Sequence, residues 1–469
     1  MRDVPKGENQ PVSEDNTSGD IFSNQQESSY GAAASLETPV SGELPPLEEN
    51  ASAGGDASSG EPPQPESPPP FVEDPKRKYL LFGALIALLF VIVFFVFNLA
   101  KGKGTKPAVQ EKTSLTYWGL WEEEEIFRPI IDEYQKSHPN IIITYVRQDP
   151  KQYRERLQAA IERGDGPDIF RFHNTWVPML VKSLAPVPKN IYTDADFEKI
   201  FYPVVSADLK IQGNYYGIPL TIDGLLLFYN EDILKSANVP VPTTWIDVQN
   251  AVPKLTVREK GKIVTAAIAL GTAENIEHFS DVLGLMMLQN GAKLTNSLFS
   301  CTDAGSTTCS VEALTFYRKF SETPNNSWDE TLDNSIIAFS GGKVAMIIVP
   351  SWQAHSIKTI NPSLNFKTAL VPQLPCDKVP CASVNWATYW VEGVSNRSKN
   401  QLPAFEFLKY LSQPATVQKL YQEEIKYRKL FGEPYALVEL GKTLSENIYL
   451  APLITAAPSM KSFYLASRT

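Results

Sequence analysis

The sequence predicts a mixed α/β domain of two lobes, preceded by an acidic tail and a membrane-spanning helix. Three observations lead there: an uncharged apolar run from Tyr79 to Ala100, an alternation of strand-like and helical patterns that begins at residue 113, and 357 residues left to that alternation. A chain segment of that length exceeds what one hydrophobic core usually spans, so two lobes are expected.

The tail comes first. Of 43 Lys+Arg and 53 Asp+Glu in the 469 residues, the first 75 hold 15 acidic and 2 basic side chains, together with 12 of the 36 prolines. With so few large apolar residues, residues 1–75 cannot offset the chain entropy lost on folding and are expected to be disordered. After Lys76-Arg77-Lys78 the remaining chain carries 38 charges of each sign. No segment shows the positive excess that neutralising phosphates requires, which argues against a nucleic-acid partner.

The run YLLFGALIALLFVIVFFVFNLA over 79–100 has 22 residues. At about 1.5 Å each they match a hydrocarbon core of roughly 30 Å. A cleaved secretory signal is shorter and lies nearer the N-terminus, so an uncleaved anchor is expected. The first cysteine is Cys301, which leaves no lipid-modifiable thiol near the run. Orientation by charge is close to a tie, with Lys76, Arg77 and Lys78 on one side and Lys101, Lys103 and Lys106 on the other. The cysteines tip it. Cys301 and Cys309 are eight apart, and Cys376 and Cys381 five apart, in turn-like sequence. Such local pairs suit two short disulfides in an oxidising compartment, with four free thiols as the alternative. The tail is therefore expected in the cytoplasm and the large domain outside the cell, joined by a linker over 101–112.

From residue 113 the elements follow in order. Leu115–Trp118 reads as a strand, Ile126, Phe127, Ile130, Ile131 and Tyr134 as one helix face, and Ile141–Val146 as a β-branched strand. Pro129 is expected to disturb the first helix and hold its start close to Glu125. Tyr153, Leu157, Ala160 and Ile161 form a second helix face, Gly164 supplies a left-handed C-cap, and Asp168–Phe172 is a third strand. This succession implies a parallel sheet. Leu225–Tyr229 reads as a buried strand, Thr244 with Asp247 as a capping box, and Lys343–Val349 as a strand entered through the Gly341-Gly342 turn.

The common catalytic patterns are missing. His138, His173, His278 and His355 form neither HExxH nor HxH, so no metal site is expected. Gly341-Gly342-Lys343 lacks the first glycine and the Ser/Thr of a phosphate loop, and no GxSxG occurs. The acids Glu122–Glu125 suit the first turn of a helix, where the dipole favours them. Aromatics, by contrast, gather where strands pass into loops: Trp118, Trp121, Phe172, Trp176, Trp352, Trp386 and Tyr389. Flat apolar platforms beside hydrogen-bonding groups are what a sugar ring needs, although for each ring taken singly ordinary core packing is the better reading.

Four motifs narrow the choice. Gly164-Asp165-Gly166-Pro167-Asp168-Ile169, YGIPLTIDGLLLFYNEDIL from Tyr216, Pro242-Thr243-Thr244-Trp245 and GGKVAMIIVPSW from Gly341 resemble, in order, the extracellular solute-binding proteins of the maltose-binding type. The stretch AFEFLKYLSQPATVQKLY from Ala404 and the closing KSFYLASRT are similar to that family's late helices. The resemblance implies a periplasmic-binding-protein-like α/β fold, with lobe 1 over about 113–221 and 375–430, lobe 2 over about 225–370 and 435–469, and a ligand held in the cleft between them. It implies hinge closure on a carbohydrate and delivery to the permease subunits of an ABC importer in the membrane, without catalysis and without a cofactor. By motif position it puts Asp223 at a cleft carboxylate and Phe172, Trp352 and Tyr464 at cleft aromatics. Trp176 and Trp386 join them as ligand-binding candidates. The loop His173-Asn174-Thr175-Trp176 departs from the maltose pattern, and the family continues beyond KSFYLASRT where this sequence ends at Thr469. Two other classes stay open: a membrane-anchored glycosidase or lyase using Asp223, Glu231 and Glu274, and a sensor that signals through its tail.

Overall fold

The computed structural model describes residues 87–94, 112–293, 301–302, 307–376 and 382–463. Residues 87–94 are helical with exposed side chains, and they are the described part of the expected span over 79–100. Among the described residues no helix is long and apolar enough to cross a membrane. The acidic tail and the linker as far as residue 111 lie outside the described residues.

The large domain begins as the periodicity predicts. β1 (Thr113–Gly119), α1 (Glu124–Ser137), β2 (Ile141–Arg147), α2 (Tyr153–Arg163) and β3 (Ile169–His173) follow one another, and β1 pairs in parallel with both β2 and β3. The stripe Ile126, Phe127, Ile130, Ile131 and Tyr134 is the buried face of α1. That helix starts at Glu124, and Pro129 lies within its second turn without breaking it. α2 stops at Gly164, whose φ of 87° lets its N–H return to the carbonyls of Ala160 and Ile161.

The second lobe is built from β4 (Leu225–Asn230), α3 (Trp245–Leu255), β5 (Val257–Glu259), β6 (Lys262–Ile268), α4 (Phe279–Gln289), β7 (Val344–Pro350), α5 (Gln353–Ile360) and β8 (Phe366–Ala369). Its sheet runs β8-β4-β7-β6-β5, parallel only between β6 and β7. β4 reads as uninterrupted apolar residues because both its faces are covered: Leu225 and Leu227 enter one core, Leu226 and Phe228 another. The Thr244–Asp247 capping box forms at the start of α3. The chain then returns. β9 (Trp390–Val394) adds antiparallel to β3, completing a sheet of order β9-β3-β1-β2, and α6 (Gln401–Leu411) and α7 (Pro414–Arg428) follow, with α7 packed on α1.

Between the two sheets the chain passes in extended segments held side by side. Residues 218–224 bridge to 387–392 on one flank and to Tyr435 on the other, and Asn385–Trp386 pairs in parallel with Met460–Lys461. Gly224 is needed here: a Cβ would lie 2.1 Å from the Trp386 carbonyl oxygen. Beside this bundle, Asp208 in the helix Pro203–Leu209 accepts hydrogen bonds from Asn174 (2.8 Å), the Tyr389 hydroxyl (2.9 Å) and Ser462. One carboxylate thus ties the loop after β3 to two of the crossing segments.

Two sequence expectations need comment. Glu122 is not a solvated first-turn acid but is 1 % exposed, paired with Arg171 and Arg428. Of the cysteines, Cys301 and Cys309 form a disulfide, and Cys376 is also disulfide-bonded; its expected partner Cys381 lies outside the described residues.

Gly224→Ala is expected to destabilise the domain by about 2 kcal/mol or more in urea unfolding, because a backbone carbonyl cannot step aside as a side chain can. Burial pushes the Asp208 carboxyl up to about 6, against the pull of its three donors. A carboxyl raised in the folded state stabilises most below its unfolded value of about 4, and that contribution disappears as pH climbs through 6. The stability difference between wild type and Asp208→Asn should therefore shift by up to about 3 kcal/mol between pH 4 and pH 7, against the wild type at the higher pH.

Candidate functional site

The carboxyl ends of β1 and β3 in one lobe, and of β6 and β7 in the other, lead into the segments that carry Trp121, His173, His278 and Trp352. In open α/β sheets ligands bind at such strand ends. From β1 the chain reaches Trp121, 44 % exposed, whose ring stands edge-on to Trp390 at 5.7 Å. From β3 it reaches His173, whose ring lies 5.1 Å from that of Trp390. Trp176 backs this group, with its ring 5.4 Å from Trp390 and the Arg154 guanidinium 5.9 Å from its own ring.

On the other lobe, β7 ends in Pro350 and the turn Ser351-Trp352 opens α5, leaving the Trp352 ring 41 % exposed. β6 leads towards α4, and His278 just before that helix has its ring edge-on to Trp352, 6.0 Å away at 73°. His278 is held in the left-handed region (φ 58°), and its Nδ1 donates to Asp281 Oδ2 at 2.9 Å. With Nδ1 committed to Asp281, Nε2 is left for a further polar partner.

The two sets face each other. Burial pushes the His173 imidazole down to about 4, and its remaining influences are the charges of Asp281, which raises it, and His278, which lowers it. His173 is thus neutral at pH 7 and belongs to lobe 1 while sensing a dyad of lobe 2. Its Nδ1 takes the Thr175 N–H at 3.4 Å, so Nε2 carries the proton and donates to the Thr388 hydroxyl at 2.9 Å. Thr388 lies in a crossing segment, and the imidazole is fastened to the base of the cleft.

The other expected site residues lie elsewhere in this arrangement. Phe172 is fully buried, against the space above Gly217 and Gly393, and Trp386 is 1 % exposed with its ring over Gly284 of α4. Both rings are core. A strand-end position suggests a platform for each, but both faces of these strands are covered, with Ile169 to Phe172 all buried and Asn385 as buried as Trp386. Trp176 is 2 % exposed and supports Trp390 from behind. Asp223 is 4 % exposed, with its oxygens occupied by protein donors at Gly224, Ser351 and Trp352. Tyr464 lies outside the described residues. Of the ligand-binding candidates with described positions, Trp352 alone is exposed.

Sequence reasoning missed His278, Asp281, Trp390 and Thr388. The three-residue spacing of His278 and Asp281 at a helix start was readable, but nothing in the sequence brings that start to Trp352. Among the described residues no cluster of His, Cys, Asp and Glu is arranged to hold a metal ion. The arrangement offers flat apolar surfaces on both lobes, a fixed imidazole nitrogen and neutral hydroxyls, which suits an uncharged ligand with an apolar face and a hydroxyl rim.

Comparison with known proteins agrees with this architecture. The maltotriose-binding protein of Pyrococcus abyssi is 24% identical over 132 residues, 28% of this chain and 28% of that protein. The maltodextrin-binding protein MdxE of Bacillus subtilis is 28% identical over 316 residues, covering 64% of this chain and 70% of that one. Among solved structures, the sugar-binding protein MalE from Xanthomonas citri superposes with a TM-score of 0.60 at 20% identity, over 75% of this chain and 87% of its own. The family model for bacterial extracellular solute-binding proteins matches residues 129–428. With that match covering most of the large domain, the chain belongs to the bacterial extracellular solute-binding proteins.

Proposed function

We propose that this protein captures a sugar or oligosaccharide outside the cell and presents it to the permease subunits of an ABC importer, tethered by a helix over 79–100 with its acidic tail in the cytoplasm. The observation that carries the reading is the exposed Trp352 ring beside the His278–Asp281 pair, opposite Trp121 and Trp390 on the other lobe. A pyranose stacks its C–H face on an indole while its hydroxyls meet fixed acceptors and donors. Contacts from both lobes make the ligand favour the closed form by its differential affinity. The similarity to maltodextrin- and maltotriose-binding relatives supports the ligand class. A tether raises the local concentration of binder near its transporter.

Capture without cleavage is supported by where the carboxylates lie. A glycosidase pair flanks one bond at roughly 5 to 9.5 Å. Asp223 precedes β4 and Glu231 follows it, and eight steps at about 3.3 Å each put them roughly 26 Å apart along the extended chain. Glu231 is committed to Lys367 (2.7 Å), which holds its carboxyl down at about 2, and Glu274 is exposed.

The test is a thermal-shift panel of mono- and oligosaccharides that includes maltotetraose, with chromatography of the sugar afterwards. Ligand at about 100 times its Kd should stabilise by roughly 2.7 kcal/mol with the sugar intact. Sugar cleavage, or no shift with any sugar, would sink the reading. Trp352→Ala is expected to weaken binding about tenfold or more in calorimetric titration, through loss of stacking area. His278→Ala should weaken it about five- to tenfold, and most for sugars whose hydroxyl meets Nε2. Deoxy-sugars lacking that hydroxyl should bind wild type and His278→Ala alike.

A further inference from the structure

We infer that Asp223 is a positioning residue: its carboxylate fastens the Ser351-Trp352 turn to the interlobe crossing, so that its charge sets the pose of the Trp352 ring. The inference rests on the reading of Trp352 as the ligand platform for its consequence, though not for its geometry. Asp223 lies in the crossing segment 218–224, directly before β4. Its Oδ1 accepts the N–H groups of Gly224 (2.7 Å) and Ser351 (3.1 Å), and its Oδ2 accepts the Ser351 hydroxyl (2.9 Å) and the Trp352 N–H (3.4 Å). At 4 % exposure the side chain does not itself present an oxygen to a ligand. What it does instead is hold, from the hinge, the first turn of α5, whose N–H groups favour a negative charge.

The charge is finely poised. Burial, and then the nearby Glu433, push the Asp223 carboxyl up to about 7 against the pull of Gly224 and Ser351. Glu433 is the charged group facing it from the segment after α7; although burial alone would raise Glu433, its pairing with Arg428 holds it below the usual range, so it stays negative. On α5, His355 lies close to Arg428 and Glu433, and burial keeps it neutral with a value of about 4. Glu424 on α7, against Glu433, is likewise raised well above the usual carboxylate range by burial, so it is not a further negative charge competing for that proton; among Asp223, Glu433 and His355, a proton arriving near pH 7 goes to Asp223. Protonated at Oδ2, the carboxyl becomes a donor there. The Ser351 hydroxyl can rotate to accept it, but the Trp352 N–H cannot, and loses its acceptor. Acidification through pH 7 thus loosens the turn at Trp352 while the Ser351 N–H stays on Oδ1.

The test uses the full chain in detergent micelles, labelled with 5-fluorotryptophan, with the Trp352 ¹⁹F resonance assigned through Trp352→Phe. In wild type without sugar, that resonance should move between pH 8 and pH 6 with a midpoint near 7. In Asp223→Asn it should be displaced and flat over the same range. Ser351→Ala, which deletes a bond that is stronger to the charged carboxylate than to the protonated form, should raise the midpoint and keeps the inference testable should Asp223→Asn fail to fold. A Trp352 resonance that does not titrate overturns the inference. So does a titration that persists in Asp223→Asn, or one abolished by His278→Gln, since the proton would then be on the imidazole. In parallel, the Kd for maltotetraose should rise several-fold from pH 8 to pH 6 in wild type and be weak at both values in Asp223→Asn. If no sugar binds while the resonance titrates as described, the positioning role stands and the sugar reading falls; if sugar binds with a resonance that ignores pH, the reverse holds.

Discussion

The arrangement of the first lobe depends on one buried cation. Arg171 on β3 reaches Glu392 on the neighbouring β9 at 2.7 Å and Glu122 in the loop after β1, and Glu122 in turn meets Arg428 at the end of α7. The side chains of Arg171, Glu122 and Glu392 are at most 6 % exposed, so none of these charges is tolerable without its partners. The network specifies more than it stabilises. A buried ion pair roughly offsets its own desolvation, but removing one member leaves the others stranded, so any shift of β9 along β3, or of α7 relative to the β1 loop, is penalised. The loop carrying Trp121 begins directly before Glu122, and the exposed ring is held by a charge network that it does not touch.

The same economy appears at the crossings. Asp208 ties the His173 loop to the segments around Tyr389 and Ser462, and Asp223 ties the Trp352 turn to the segment around Gly224. Each lobe's share of the candidate site is fastened to the connecting bundle by a buried carboxylate rather than by its own lobe alone. Rotation at those segments is then felt directly at His173 and Trp352, the groups of the candidate site.

Much of the fold was legible because it rests on local patterns. The helix stripe of α1, the capping box at Thr244, the Gly164 cap and the uninterrupted apolar run of β4 are written within a few residues, and each is found where the pattern puts it. The site was legible only in outline. What later segments pack over a strand decides whether its rings are covered, and position at a strand end does not, which is why Phe172 and Trp386 read as platforms yet lie in the core while Trp390 went unnoticed. The His278–Asp281 pair becomes meaningful only when α4 and the β7 turn meet, two elements that a long stretch of chain separates. Glu122 shows the same limit, since its partners Arg171 and Arg428 stand 49 and 306 residues away.

The antiparallel placement of β9 on β3 also bears on how the chain acquires its shape. β4 to β8 all lie between residues 225 and 369, so the second lobe's sheet can form once that stretch has emerged. β3 has no such autonomy: its outer neighbour, and the Glu392 that neutralises Arg171, come 221 residues later. Until then β3 offers an open edge and a guanidinium with Glu122 but not Glu392 beside it, and an open edge is where strands recruit wrong partners. For a chain made from its N-terminus, the sheet whose synthesis begins first is completed after the other, and a vulnerable intermediate with one complete sheet and one open sheet is built into the topology.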